Sequence, residues 1–415
     1  MSVAARGRLY LVGLGPGSPG HMTERARQAV AEAEVVVGYA TYLALIPELL
    51  AGKAVVRKGM TEERERVEAA CAEAAAGRRV ALVSSGDAGV YGMAGPAYEH
   101  LLAQGWRPGE DLEVEVVPGT TALAAAAALA GAPLTHDFCT ISLSDLLTPW
   151  PAIARRLEAA ARGDFVIALY NPASRRRTEH LRAAQRILLR DRAPGTPVAV
   201  VRAAYREGQG VEHARLDALH RCAVDMLTTV IVGSSASFAR SGVMVTPRGY
   251  TAKYAGGGER RGRSLRLGLA GWPEAVRAWL REQPEPSLDA AAQYFDVPWG
   301  ELLAAVDEAM TAPGDPFRAA ALADPGPAAV AAACRGWGPI EVAVPGGAGA
   351  RLTCLADGRE LRAEGGGLTV GDGRGRAELG GGIGAAWRLR GPDGALSLEL
   401  VDRRGEAALS IRARA

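Results

Sequence analysis

The sequence predicts an α/β protein of two lobes followed by an appended α+β domain, and three observations carry that expectation. Short β-branched runs alternate with longer helical patterns from Leu9 to Ile231, as they do when strands are interleaved with helices. Glycine-rich loops follow strand-like runs directly, at Val12–Gly20 and again at Val83–Gly95. Past Ala255–Ser264, a glycine-rich charged stretch with no apolar anchor, the pattern changes to helices and then to short strands between Gly and Asp turns.

Strands are expected at Leu9–Gly13, Val35–Val37, Val80–Ser84, Val114–Val117, Phe165–Tyr170, Val198–Val201 and Thr229–Val232, where β-branched residues concentrate. Helices are expected at Thr23–Ala33, Glu62–Ala76 and Thr178–Leu189. In the second of these Thr61 stands as N-cap, acidic residues fill the first turn and Gly77 supplies the stop. Pro118-Gly119 divides the region into lobes of about 1–117 and 118–254, and a cleft between lobes is a usual place for a ligand. Residues 255–264 read as a linker and 265–415 as the appended domain. There LDAAAQYFDVPWGELLAAV gives two helices broken at Val297-Pro298. From Ile340 onward, runs such as EVAV, ARLTCL and LSLEL give a small antiparallel sheet.

Composition narrows the function. A chain of 415 residues is too long for one ordinary core. Its 48 basic and 46 acidic residues leave a net charge of +2, too little to attract a nucleic-acid backbone. No run reaches the roughly 18 apolar residues of a membrane span, and MSVAARGRLYLVGLG enters a strand without a signal-peptide core. The five cysteines are scattered, with no C-x-x-C pair, which fits a reducing cytoplasm.

Five segments could carry chemistry. In Val12–Gly20, Gly15, Gly17 and Gly20 satisfy G-x-G-x-x-G, so a dinucleotide-binding unit is one reading and a plain tight turn another. Pro16 and Pro19 remove N–H groups that a pyrophosphate would need, and VVVGYATY ends without an acidic residue for a ribose. In Val83–Gly95, Gly86, Gly89 and Gly92 permit close approach of a ligand to backbone, while Asp87 could accept from ribose hydroxyls or serve the turn. Thr120 and Thr121 open an alanine-rich helix, as ligand-binding hydroxyls or as caps. Asn171 and Arg175, Arg176 and Arg177 follow the strand ALY, where one guanidinium could pair with substrate carboxylates. Thr228-Thr229 opens a strand that offers backbone groups, and MVTPRGY follows at Met244–Tyr250.

In this order and at these spacings, the five segments resemble the tetrapyrrole methyltransferase family over about residues 8 to 250. HDFCTISLSDLLTPW (His136–Trp150), ALYNPASRRR, DMLTTVIVG and MVTPRGY are similar to the branch that methylates C17 of precorrin-3B, or of a cobalt-containing counterpart, in cobalamin synthesis. The resemblance implies the two-lobed tetrapyrrole methyltransferase fold, a homodimer, no metal for methyl transfer, and S-adenosyl-L-methionine as cofactor. It places the donor against Pro16, Gly86, Asp87, Val90, Thr120, Thr121, Ala122, Tyr170, Ala203, Thr228 and Thr229. Ser144, Asp145, Asn171 and Arg175 are the expected substrate contacts. In that branch methylation is coupled to ring contraction, which moves a proton, so His136 and Asp137 are the candidate catalytic pair. Ser18, Ala88 and Ser234 stand where the family usually has Asp, Pro and Asn. A methyltransferase of this fold acting on another tetrapyrrole, a catalytically silent tetrapyrrole-binding protein and a nucleotide-dependent oxidoreductase remain alternatives.

The appended domain resembles, more faintly, intracellular haem utilisation proteins in LREQPEPSLDAAAQYFDVPWGELLAAV, CRGWGPIEVAV and LSLELVDRRGEAALSI. It has no histidine, the last being His220, so Cys334, Cys354 or Tyr294 would have to ligate iron. A dimerisation or stability module is the other reading.

Overall fold

The computed structural model describes residues 7–59, 61–109, 112–174, 176–248, 268–269, 271–295, 297–345, 351–364, 367–370, 375–377, 383–403 and 406–414. The chain forms two compact units, Met1–Tyr250 and Thr251–Ala415. The linker expected at 255–264 lies outside the described residues.

The first strand, β1 (Arg8–Gly13), is apolar on both sides. Leu9 and Leu11 enter one core cluster and Tyr10 and Val12 another, the alternation that a pleated strand imposes. Burial on both faces is what a parallel sheet requires, because its crossovers run over them. With β2 (Val35–Tyr39), β3 (Ala54–Lys58), β4 (Arg79–Ser84) and β5 (Glu113–Val117), β1 builds a wholly parallel sheet in the order β3-β2-β4-β1-β5. Helix α1 (Glu24–Glu32) and the short α2 (Ala40–Leu43) cover one face; α3 (Glu63–Ala75) and α4 (Ala94–Ala103) cover the other. Because every strand points the same way, Gly13, Ser84 and Val117 end at one edge.

The start of α3 departs from expectation. Thr61 is not its N-cap: it has φ +69°, and Glu62 takes the cap position, its carboxylate accepting the Gly59 N–H at 2.6 Å. At that φ Thr61 departs from the extended backbone that an N-cap usually takes, and the Glu62 side chain bonds the preceding loop and not the helix.

The second lobe begins with α5 (Ala122–Ala130) and continues through β6 (Gly131–Ala132), β7 (Phe138–Ser142), α6 (Trp150–Arg162), β8 (Val166–Tyr170), α7 (His180–Leu188), β9 (Pro197–Arg202), β10 (Gly210–Arg215) and β11 (Thr228–Val232). Its sheet has the order β10-β9-β11-β8-β7, with β7 parallel to β8 and every other pair antiparallel. Ile167, Leu169, Val198 and Val200 bury against α6 and α7 on one face. Val166, Ala168, Ala199 and Val201 bury against Leu123, Ala126, Ala127 and Ala130 of α5 on the other. Alanines allow that helix to lie close to the sheet. Strand β12 (Phe238–Arg240) pairs with β13 (Val243–Val245), which pairs with β6. The C-terminal ends of β7, β8 and β9 and the N-terminal end of β11 share one edge of the main sheet.

The second unit packs helices Trp272–Glu282, Leu288–Phe295, Trp299–Ala305 and Pro327–Cys334 with a six-stranded antiparallel sheet. The break at Val297-Pro298 falls as expected. The sheet begins earlier than the strand-like runs suggest, with Arg318–Ala321 paired to Ile383–Arg390, because AAA has no alternation to betray a strand.

Candidate active site

In the first unit the two lobes leave an open cleft with a cavity volume of about 170 Å³. On the first lobe it is built by three loops that leave the carboxyl ends of β1, β4 and β5, the edge at which open α/β sheets usually bind ligands. The loops touch at their glycines. Gly15 and Gly86 exchange backbone hydrogen bonds of 2.9 and 2.8 Å. A Cβ on Gly13 would come within 2.7 Å of the Gly86 carbonyl, and one on Gly119 would run into the same oxygen. Asp87 locks the junction: Oδ1 accepts the Gly89 and Val90 N–H groups at 2.8 and 3.2 Å, and Oδ2 accepts that of Gly119 at 2.9 Å. Its carboxylate thus ties two loops together, in keeping with the turn role that was one of its two readings.

This pairing also decides against a dinucleotide loop. The Leu14 and Gly15 N–H groups, which a pyrophosphate would claim, are given to Ser84 and Gly86 carbonyls. The strand order β3-β2-β4-β1-β5 likewise differs from the doubly wound 3-2-1-4-5.

On the second lobe the wall is the sheet edge where β8 and β9 end and β11 begins. The Tyr170 hydroxyl lies 2.6 Å from Thr121 Oγ1 and accepts the Leu123 N–H at 2.8 Å, so the phenol fastens the start of α5 to the sheet. Burial pushes its pKa up. Thr121 is the N-cap residue of α5 by backbone geometry, but its side chain serves Tyr170 instead of the helix. Thr228 Oγ1 donates to Asp225 at 2.9 Å, and Asp225 also holds Arg202. Tyr91 (φ +54°), Asn171 (φ +52°) and Ala203 (φ +48°) line the cleft in the left-handed region. Such residues cost about 1–3 kcal/mol each and cluster where function requires a particular backbone.

Of the expected donor contacts, Pro16, Gly86, Asp87, Val90, Thr121, Ala122, Tyr170, Ala203, Thr228 and Thr229 line this one cleft. Thr120 does not; its hydroxyl faces the His21 carbonyl at 3.5 Å. Asn171 lines the cleft and donates to Ser142 Oγ at 3.0 Å. Ser144 accepts from Arg177 at 3.2 Å, and Asp145 pairs with His180 at 2.8 Å, which holds its carboxyl below the usual range. Arg175 lies outside the described residues; of the cluster it is Arg177 that reaches the cleft wall, donating to the Met226 sulfur at 3.3 Å.

His136 and Asp137 do not line this cleft. They precede the N-terminal end of β7, whereas the cleft lies at the carboxyl end of its parallel neighbour β8, so a strand of five residues, about 16 Å, stands between. They line a separate depression with Thr135, Phe138, Phe165 and Arg248, and face one another at 3.6 Å.

Arg206 carries no motif and was not anticipated. It sits between β9 and β10, lines the cleft, and donates from Nε to the Pro16 carbonyl and from Nη2 to Ser85 Oγ, bridging the lobes. Burial lowers its pKa, opposed by Tyr42. The only local signal was YREGQG, which reads as a turn.

In the second unit, Cys334 is wholly buried, with its thiol pushed up to about 12, so it presents no ligand to a haem. Cys354 and Tyr294 are exposed. All five cysteines are free thiols.

Two glycine-knit lobes with a cleft at their sheet edges define a class, and the chain belongs to it: the tetrapyrrole (corrin/porphyrin) methylases, whose family model matches residues 8–220. A cobalt-factor III methyltransferase of Priestia megaterium is 51% identical over 249 residues, which are 60% of this chain and 46% of that protein. The chain therefore spans about half the length of that relative. A probable cobalt-factor III C(17)-methyltransferase of Salmonella typhimurium is 49% identical over 243 residues, 59% of this chain and 99% of that protein. A solved structure described as the methyltransferase CobJ is 40% identical, with a TM-score of 0.54, covering 58% of this chain and 100% of that one.

Proposed function

We propose that this chain transfers a methyl group from S-adenosylmethionine to C17 of precorrin-3B, or of its cobalt-containing counterpart, with contraction of the ring toward precorrin-4 in cobalamin biosynthesis. The observation that carries the reading is the cleft: polar where a nucleoside needs hydrogen bonds, apolar at its lips. Ser85, Thr121, Tyr170 and Thr229 supply hydroxyls among Ala122, Ala203 and backbone loops, a donor set that fits S-adenosylmethionine. Val90, Tyr91, Met226 and Leu227 are large apolar side chains left exposed on the same cleft, the surface a flat macrocycle would cover. Relatives named for cobalt-factor III and for C17 support the choice of substrate.

When bound, the donor supplies an electrophilic methyl group on a sulfonium, so the chemistry is the cofactor's. The chain's task is alignment. Asp87 fixes the loops around Gly86 and Gly119, Tyr170 fixes the start of α5, and the Thr228-Thr229 strand end closes the floor. Holding donor and carbon in line is worth several kcal/mol of barrier. Asn171, which lines the cleft, is proposed to contact the macrocycle, with Ser144 and Asp145 as further proposed contacts.

A homodimer in the cytoplasm completes this reading. It is supported by the family resemblance, and among the described residues no helix is long and apolar enough to cross a membrane. The residues from 265 onward are proposed to bind a tetrapyrrole, and tethering it to the same chain would raise its effective concentration.

The test is mass spectrometry and NMR of the product made from precorrin-3B and isotope-labelled donor. One methyl at C17 on a contracted ring is the expected result; methylation at another carbon, or of uroporphyrinogen III instead, would refute it.

A further inference from the structure

We propose that Arg206 recognises a peripheral carboxylate of the tetrapyrrole, exchanging its contacts to Pro16 and Ser85 for that carboxylate when the macrocycle enters. The inference rests on the reading that the substrate is a polycarboxylate tetrapyrrole, and it deepens that reading by naming a specificity residue.

Arg206 is the cationic side chain among the described residues lining the cleft. Some guanidiniums of this unit have carboxylate partners, as Arg25 holds Glu115 at 2.7 Å and the buried Arg192 holds Asp164, while Arg177 outside the cleft donates to Ser144 and Met226. Among the described residues Arg206 has a carbonyl and a hydroxyl as its hydrogen-bond partners and no carboxylate ion pair. A desolvated guanidinium served by neutral acceptors gains a charge-assisted bidentate pair when a carboxylate arrives, whereas one already paired gains nothing. Precorrins carry acetate and propionate groups on the macrocycle rim, which are such partners.

The backbone around Arg206 is built to deliver it. The residue's N–H bonds the Ala203 carbonyl at 2.9 Å, the Tyr205 N–H bonds Gln209 Oε1 at 2.9 Å, and the Tyr205 ring stacks on His21 with centroids 3.8 Å apart. Ala203 and Tyr205 are both held at positive φ, 48° and 56°. Across the cleft, Gly17 leaves the lane open: a Cβ there would come within 2.5 Å of Arg206 Nε. A side chain held from behind by a strained turn, with a cleared path in front, is positioned to be met by a ligand.

The full chain, its R206Q and its R206K variants are compared for binding of uroporphyrin I, an octacarboxylate, and of its octamethyl ester, by fluorescence quenching. S-adenosylhomocysteine affinity, by calorimetry, reports the integrity of the donor site. R206Q is expected to weaken uroporphyrin binding by about 10- to 100-fold, to leave ester binding equal to wild type, and to keep S-adenosylhomocysteine affinity within about twofold. R206K should fall between, because an ammonium cannot reproduce a bidentate pair. With precorrin-3B the loss should fall on KM more than on kcat. Equal uroporphyrin affinity in wild type and R206Q, a parallel fall in S-adenosylhomocysteine affinity, or no uroporphyrin binding by the wild type would overturn the proposal. A wild type that binds uroporphyrin but does not methylate precorrin-3B would instead overturn the proposed reaction.

Discussion

The hydroxyl of Tyr170, at the end of a strand in the second lobe, is 2.6 Å from that of Thr121, at the head of the helix that enters this lobe from the first. One phenol therefore ties the crossover between lobes to the sheet that forms the cleft floor. It also takes the Leu123 N–H, which the helix itself cannot satisfy. Tyr170→Phe should leave that N–H unpaired at a cost of about 1–3 kcal/mol. Donor-product affinity should fall about 5- to 100-fold while thermal unfolding shifts by only a few degrees; calorimetry and a melting curve measure both.

Asp87 supports a second expectation. In Asp87→Asn the amide nitrogen or the oxygen must face Gly119 or the Gly89–Val90 pair, so a donor meets a donor on one side. Loss of about tenfold in S-adenosylhomocysteine binding is expected. An unchanged dissociation constant would show that the loops keep their places without the carboxylate.

Gly119 should be intolerant of even one methyl group. Gly119→Ala would push its Cβ into the carbonyl of Gly86 and the backbone of Gly13, neither of which can move without unpairing strand ends. Overpacking of this kind costs typically about 1–3 kcal/mol. A reduced melting temperature together with lost donor binding is the expected signature.

His136 should be dispensable. It lies beyond the amino end of its strand, in the depression with Arg248, so His136→Ala should keep kcat within about twofold. A drop of a hundredfold or more, seen in single-turnover kinetics, would contradict the placement.

Acid sensitivity should centre on Arg25. Its guanidinium holds the Glu115 carboxyl below its ordinary value of 4.5, and Glu32 is depressed by Tyr10 and then by Arg25. Depressed carboxylates contribute stability that is present above 4.5 and is lost as pH falls through their lower folded values. All three groups are partly exposed, so screening reduces the effect. Melting temperature should fall more steeply from about pH 5 to about pH 3 in the wild type than in Arg25→Gln.

The strands that form the cleft were legible because parallel strands buried on two faces read as unbroken apolar runs, as LYLVG and VALVS do. The loops were legible from their glycines, whose spacing follows from close approach of backbone. Strand β7 was not, since FCTIS is short, carries polar residues within it and buries only Ile141 fully, so no alternation marks it. Thr61 failed as a cap because the chain turns through positive φ at that residue and the cap position falls one residue later, at Glu62, whose carboxylate accepts the Gly59 N–H. Arg206 was illegible for a different reason: its partners, Pro16 and Ser85, are 190 and 121 positions away. No local pattern records a contact at such distance.

The alanine-rich helix α5 lies ahead in sequence of every strand it covers. During synthesis it therefore leaves the ribosome before β8, β9 and β11 exist, and must wait for them. Its waiting face is Leu123 with Ala126, Ala127 and Ala130, almost bare of bulk. A helix made so plain for close packing also offers chaperones and neighbouring chains very little to hold while translation catches up.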